Sequence, residues 1–185
     1  MLLTEQNRKR LLDLARVSIS HGLKTGKPFK PDLADYPPEL AELRATFVTL
    51  EKRGQLRGCI GMLEAVRPLA EDVAENAFSA AFKDYRFAPL TADEFDGLSI
   101  HISLLSPPEP MTFSSERDLL EQIRPGVDGL ILEEGYRRGT FLPSVWESLP
   151  EPEQFLRHLK QKAGLPAQYW SDSVKISRYT AELIG

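Results

Sequence analysis

Residues 46 to 61 decide the fold of this chain and read Thr-Phe-Val-Thr-Leu-Glu-Lys-Arg-Gly-Gln-Leu-Arg-Gly-Cys-Ile-Gly. The segment from Thr46 to Glu51 is rich in β-branched and aromatic residues, which suits a half-buried strand. Polar residues and Gly54 follow, and because glycine enters positive φ freely, the chain can reverse there. The segment from Leu56 to Ile60 then reads as the return strand, so the stretch predicts a β-hairpin.

The alternation of side chains along a strand assigns the return strand to two faces. The expected faces are Leu56, Gly58 and Ile60 on one side, with Arg57 and Cys59 on the other. Two glycines, Gly58 and Gly61, bracket Cys59, which is the only cysteine of the chain. Because glycine weakens a strand interior, this pair indicates a bulge or a close backbone approach. The hairpin is therefore a candidate functional site.

Length and composition are those of a globular domain. The chain has 185 residues, 42% of them hydrophobic and 27% charged, which is enough for one domain with a sizeable core. The net charge of −4 argues against a general nucleic-acid binder, because affinity for phosphates rests on concentrated Lys and Arg.

Cysteine content and hydropathy predict a cytoplasmic protein. A single cysteine cannot form an internal disulfide, which fits a reducing compartment. No apolar run approaches the roughly 20 residues that span a bilayer. The first residues also lack the apolar segment of a signal peptide.

Two helices and a proline-rich arm flank the hairpin. Apolar residues recur at helical spacing in Thr4 to Lys24 and in Val66 to Phe82. The arm from Lys27 to Pro38 contains three large apolar residues among its prolines, so we expect it to pack against the body. Asn76 lies inside the second helix, where asparagine is unfavourable. We expect its side chain to form a hydrogen bond outside the helix, with a substrate contact as the alternative.

The second half of the chain contributes further short strands and helices. Residues 98 to 105 alternate regularly, and a second hairpin is predicted over residues 129 to 142. A helix over Glu153 to Ala163 and a strand over Val174 to Tyr179 follow. Because hairpins and irregular loops join the strands, the predicted class is α+β, with a mostly antiparallel, barrel-like or two-lobed sheet and flanking helices.

A loop over residues 84 to 87 carries the second group of candidate residues. Asp84 and Arg86 are spaced to brace this loop by a mutual ion pair or by backbone contacts. The alternative for Arg86 is a bidentate contact to a carboxylate or phosphate.

Metal and cofactor chemistry has no motif in this sequence. The three histidines, His21, His101 and His158, are scattered, and one cysteine cannot build a thiolate site. A glycine-rich phosphate loop and a Gly-x-Ser-x-Gly elbow are both missing. We therefore predict no metal and no cofactor.

Several segments together carry a family resemblance. They are Leu56-Arg57-Gly58-Cys59-Ile60-Gly61, Asn76-Ala77, Asp84-Tyr85-Arg86-Phe87, Pro125-Gly126-Val127-Asp128-Gly129, Phe141-Leu142-Pro143 and Lys162-Ala163-Gly164-Leu165. In this order they resemble the AMMECR-type domain over nearly the whole chain. The resemblance implies a single domain over residues 1–185, or two closely joined lobes around a cleft. It also implies the first component (protein A) of an AmmeMemoRadiSam system, with a Memo-type protein or a radical S-adenosylmethionine enzyme as partner.

Two functional hypotheses follow. In the first, the chain is an enzyme or its catalytic partner, with Cys59 as nucleophile or thioester carrier and Arg57 stabilising the thiolate or an anionic substrate. The substrate-binding residues would be Gly58, Gly61, Asn76, Asp84 and Arg86. No general base is identifiable, although a nucleophile needs one, and a buried cysteine is most often an inert hydrophobe. In the second hypothesis, the chain is a noncatalytic adaptor or binding module that docks a protein partner through the same hairpin. Under either hypothesis, the ligand is an unidentified small molecule or protein.

Overall fold

The computed structural model describes residues 2–185. The helices are α1 (Glu5–Thr25), α2 (Leu69–Phe82), α3 (Glu116–Gln122) and α4 (Pro152–Lys162). The strands are β1 (Thr46–Lys52), β2 (Gln55–Gly61), β3 (Leu98–Leu105), β4 (Glu109–Pro110), β5 (Gly129–Glu134), β6 (Arg137–Phe141), β7 (Lys175–Tyr179) and β8 (Ala181–Ile184).

The chain divides into two compact units. The first comprises residues 2–105 and 182–185, and the second comprises residues 106–181. Each has its own four-stranded sheet, in the order β2-β1-β3-β8 in the first and β4-β7-β5-β6 in the second. The pairings of β1 with β2 and β3, and of β7 with β4 and β5, are antiparallel. The predicted α+β class is confirmed, but neither sheet closes on itself, so the barrel-like alternative is wrong.

No helix within residues 2–185 is both long and apolar enough to cross a membrane.

Helix α1 is capped at both ends by residues that favour helix termini. The Thr4 side chain accepts a hydrogen bond from the Asn7 backbone N–H at the start of the helix. Gly26 ends the helix at φ 71°, a left-handed conformation that glycine adopts without strain. The helix is tied to α2 because the buried Ser18 hydroxyl donates to the Ala74 carbonyl at 2.7 Å.

Helix α2 begins three residues later than the predicted start at Val66. The chain before it is extended, since Pro68 forms an isolated antiparallel bridge with Leu43. The Leu69 N–H then donates to the Glu42 carbonyl at 2.8 Å. This tertiary pairing, which a local pattern does not contain, holds residues 66–68 out of the helix.

A β-bulge in β2 changes the predicted faces of the hairpin. Gly58 lies opposite Leu50, whereas Leu56 lies opposite Glu51, so Arg57 is an extra residue without a partner in β1. Residues opposite each other share a face. Leu56 therefore lies on the face of Glu51 and is 44% exposed. The expectation that it shares the core face with Gly58 is wrong.

The proline-rich arm packs against the first unit, as predicted. Phe29, Leu33 and Tyr36 contact the buried core that α1, α2 and the first sheet enclose. The Phe29 N–H also donates to Ser18 Oγ at 3.1 Å. The arm is thus fixed by both apolar contacts and a hydrogen bond.

The second unit has a core of its own beneath its sheet. The rings of Trp146 and Phe155 stack with centroids 3.8 Å apart, and the Trp146 indole N–H donates to the Asp128 carbonyl at 2.7 Å. The last predicted strand is present as β7, but β8 after it was not predicted.

Candidate functional site

Cys59 lies on β2, an edge strand of the first sheet, opposite Thr49. Its side chain is partly buried and the thiol is free. The Thr49 hydroxyl donates to Cys59 Sγ at 3.3 Å. The cysteine therefore lies on the face away from the buried residues of β1, where ligands reach it more easily than in the core.

The loop after α2 covers the outer edge of β2 at Cys59. The Cys59 N–H donates to Asp84 Oδ2 at 3.0 Å, and Arg86 Nη2 lies 3.5 Å from the Cys59 carbonyl oxygen. Arg86 also binds both oxygens of Asp84, with Nη2 to Oδ2 at 2.7 Å and Nε to Oδ1 at 3.0 Å. The predicted brace between Asp84 and Arg86 is confirmed, and it extends to the backbone of the cysteine.

Asp84 is a hydrogen-bond acceptor in this arrangement and a poor base. The hydrogen bonds from Arg86, followed by the Cys59 backbone N–H, hold the pKa of its carboxyl well below the usual range. A carboxylate with so low a pKa accepts a proton only in acid, so it is unsuited to general-base catalysis near neutral pH. The same depressed pKa means that its stabilising contribution is present above the pKa of an unfolded aspartate and is lost in acid.

The guanidinium of Arg57 is paired with the carboxylate of Glu94. Its Nε and Nη2 donate to the two oxygens of Glu94 at 3.0 and 3.1 Å, and Nη2 also donates to the Ala88 carbonyl at 2.9 Å. These bonds lower the pKa of the Glu94 carboxyl well below its usual range, with help from the Thr91 backbone N–H. The guanidinium that was predicted to assist Cys59 is thus engaged with Glu94.

Glu94 was missed in the sequence analysis, although a signal was available. Thr91 and Glu94 form a reciprocal capping box at the start of a short 3-10 helix. The Thr-x-x-Glu spacing therefore marked Glu94 as a positioned carboxylate. Its second role, as the partner of Arg57, depends on a contact between residues 37 positions apart.

The loop over residues 84 to 87 carries two aromatic side chains, one partly buried and one exposed. The Phe87 ring is partly buried, with the guanidinium carbons of Arg57 and Arg86 at 5.8 and 5.5 Å from its centroid. Tyr85, two residues earlier, is 95% exposed. The residues on either side of it, Asp84 and Arg86, are tied to the edge of β2.

Gly58 and Gly61 allow the backbone approach that their positions predict. A Cβ atom on Gly58 would lie 2.1 Å from the Ala80 carbonyl oxygen of α2, and one on Gly61 would lie 2.3 Å from the Thr46 carbonyl oxygen. Both distances are far inside van der Waals contact. The two glycines therefore let β2 pack closely against α2 and β1.

Asn76 belongs to a buried polar network beside the start of β1. Its amide donates to the Thr46 carbonyl at 3.1 Å and to Asp72 Oδ2 at 3.0 Å. Asp72 is fully buried and accepts from the backbone N–H and the hydroxyl of Thr46, while Arg67 donates to its other oxygen. The predicted hydrogen bond outside the helix is confirmed. These contacts fix α2 to β1. Asp72 and Arg67 were not among the residues predicted from the sequence.

Known proteins resemble this chain in sequence over nearly its whole length. The AMMECR1 family model matches residues 12–184. A protein of Methanothermobacter thermautotrophicus is 39% identical over 98% of this chain and 95% of its own length. Protein MJ0810 of Methanocaldococcus jannaschii is 42% identical over 82% of this chain and 77% of its own length.

A crystal structure gives the same result in three dimensions. The uncharacterized protein PH0010 from Pyrococcus horikoshii is 37% identical and superposes with a TM-score of 0.89, covering 98% of this chain and 92% of that one. This chain belongs to the AMMECR1 family.

Proposed function

We propose that the chain is a noncatalytic binding module that docks a protein partner through the β1–β2 hairpin and the adjoining loop. The docking surface comprises the exposed parts of Leu56, Tyr85 and Arg86. The observation that carries the proposal is the 95% exposure of Tyr85 between two residues that are hydrogen-bonded to β2.

A tyrosine held between two anchored residues is well suited to binding a protein. Tyrosine is enriched among the residues that dominate interface energies. Anchored neighbours reduce the conformational entropy that binding costs. Leu56, 44% exposed because of the bulge, adds apolar surface at the hairpin.

The partner class comes from the family resemblance. Membership in an AmmeMemoRadiSam-type system would make the partner a Memo-type protein or a radical S-adenosylmethionine enzyme. Such a system would operate in the cytoplasm, consistent with the single cysteine of the chain.

Replacing Tyr85 by alanine is expected to weaken partner binding about thirtyfold or more, because truncated interface hot spots cost at least about 2 kcal/mol. Isothermal titration with a purified Memo-type protein and with a purified radical S-adenosylmethionine enzyme measures the effect. Tyr136→Ala is the matched control, since Tyr136 is 91% exposed on the hairpin of the second unit. Equal affinities for wild type and Tyr85→Ala in both titrations would contradict the proposed docking surface.

A cysteine-centred active site is the second candidate. The favouring observation is that Cys59 is only partly buried and that its thiol receives a hydrogen bond from Thr49. Against it stand the engagement of Arg57 with Glu94 and the low basicity of Asp84. The hydrogen-bonded carboxylates at this site are therefore unsuited to activating the thiol.

Alkylation of Cys59 by iodoacetamide distinguishes the two candidates. Under the binding-module proposal, the rate at neutral pH is expected to be lower than that of glutathione, because the side chain is partly buried. Mass spectrometry of the intact protein follows the reaction, with the urea-unfolded protein as the accessible control. A native rate above that of glutathione would favour the enzyme.

A further inference from the structure

The tip of the β1–β2 hairpin forms a small, basic pocket. Its volume is about 270 Å³, and its lining is Lys52, Arg53, Gln55, Leu56 and Arg57. Three of these five residues are cations and none is a carboxylate. In a chain with a net charge of −4, this concentration of positive charge is a local departure from the overall balance.

Arg53 places a positive charge at a turn position that favours a smaller residue. Arg53 and Gly54 form the two-residue turn with φ values of 53° and 75°. Arg53 is the only non-glycine residue with positive φ in residues 2–185. Asparagine or glycine occupies such turns with less strain. The turn therefore carries an exposed arginine side chain at some conformational cost.

The cations of the pocket have fewer acceptors than they can use. Lys52 and Arg57 share one carboxylate, Glu94, at 3.3 and 3.0 Å. Arg57 Nη1 is buried without a hydrogen-bond partner in the part of the chain that the structure describes. The other nearby acid on β1, Glu51, lies 3.5 Å from His101 Nε2. One carboxylate, Glu94, therefore offsets only part of the charge of the three cations in the lining, and the pocket keeps a net positive charge.

We propose that this basic pocket binds the carboxylate side chains of an acidic segment in the partner protein. The inference rests on the proposed function and identifies the partner's chemistry at the hairpin. Charge complementarity selects an acidic segment. The pocket is smaller and more polar than sites that enclose small ligands, which are usually about 300–1,000 Å³ and largely apolar. Exposed Leu56 in the lining gives the segment an apolar contact as well.

The test uses a fluorescein-labelled peptide of alternating glutamate and serine, with a glutamine–serine peptide as the neutral probe. Fluorescence anisotropy is measured on the full chain at low salt. Arg53→Asn removes the charge and suits the left-handed turn, so the variant is expected to fold, which thermal melting verifies. Lys9→Gln, at an exposed position on α1, removes the same charge elsewhere.

The acidic peptide is expected to bind wild type and Lys9→Gln equally, and Arg53→Asn about fivefold more weakly. Added NaCl should weaken binding to wild type, and the glutamine peptide should not bind. Equal binding by Arg53→Asn and wild type, or equal binding of the two peptides, would overturn the proposal. Displacement of the peptide by inorganic phosphate at constant ionic strength would identify a free anion as the occupant and would overturn it too.

The purified partner separates this inference from the proposed function. If Tyr85→Ala weakens partner binding and Arg53→Asn does not, the acidic-segment proposal fails while the docking surface stands. If neither variant changes partner binding, both fail. Weaker binding by both variants supports both.

Discussion

Replacing Gly58 by valine is expected to destabilise the first unit by at least about 3 kcal/mol, at or above the upper end of common overpacking costs. The new Cβ would lie 2.1 Å from the Ala80 carbonyl oxygen and 3.0 Å from the carbonyl carbon. Both atoms belong to the backbone of α2, so no side-chain rotation relieves the clash. Either β2 moves away from α2, or the helix shifts out of the core that it shares with β1. Urea unfolding followed by circular dichroism measures the loss.

Cys59→Ala is the matched comparison for this substitution, one residue further along the same strand. It removes a partly buried sulfur and the hydrogen bond from Thr49, without adding an atom. We expect a loss of about 1 kcal/mol. Equal urea midpoints for the two variants, or a larger loss of stability for Cys59→Ala, would contradict the close approach of β2 to α2 at Gly58.

Replacing Asp72 by asparagine is expected to cost about 3–5 kcal/mol, the usual cost of breaking a buried ion pair. Asp72 is fully buried. It accepts from Arg67, from Asn76 and from the backbone N–H and hydroxyl of Thr46. An amide of the same shape turns one acceptor into a donor, which would face these donors. Arg67 would also lose its charged partner.

Asp13→Asn is the control for the change of charge, since Asp13 is exposed on α1 in the same unit. Its free energy of unfolding should stay within about 0.5 kcal/mol of the wild-type value, as for most surface substitutions. A midpoint for Asp72→Asn equal to that of Asp13→Asn would contradict a structural role for the network.

Local chemistry predicted the elements that are determined locally. The N-cap at Thr4, the glycine at the end of α1 and the turn at Gly54 all lie where their side chains or φ preferences require. The loop brace was also predictable, because Asp84 and Arg86 are two residues apart and bind each other. In each case, the interacting groups are close in sequence.

Features that depend on distant partners were not predictable in the same way. The two glycines indicated a bulge or a close approach, but the position of the bulge at Arg57 depends on how β2 aligns with β1, and the predicted faces assumed strict alternation without an extra residue. The contact between Arg57 and Glu94 joins β2 to a 3-10 helix beyond α2. Strand β8 has four residues and follows β7 after a single intervening residue, Thr180, so the short pattern did not separate the two.

The covered edge of β2 limits how another polypeptide can bind here. A partner that extends a sheet needs the free N–H and C=O groups of an edge strand. At Cys59 the N–H is bonded to Asp84, and Arg86 approaches the carbonyl oxygen. Backbone-to-backbone β-augmentation is therefore blocked at this residue, which also discourages edge-to-edge aggregation of identical chains. Recognition at this point of the hairpin must therefore use side chains, so its specificity can change by substitution without altering the sheet.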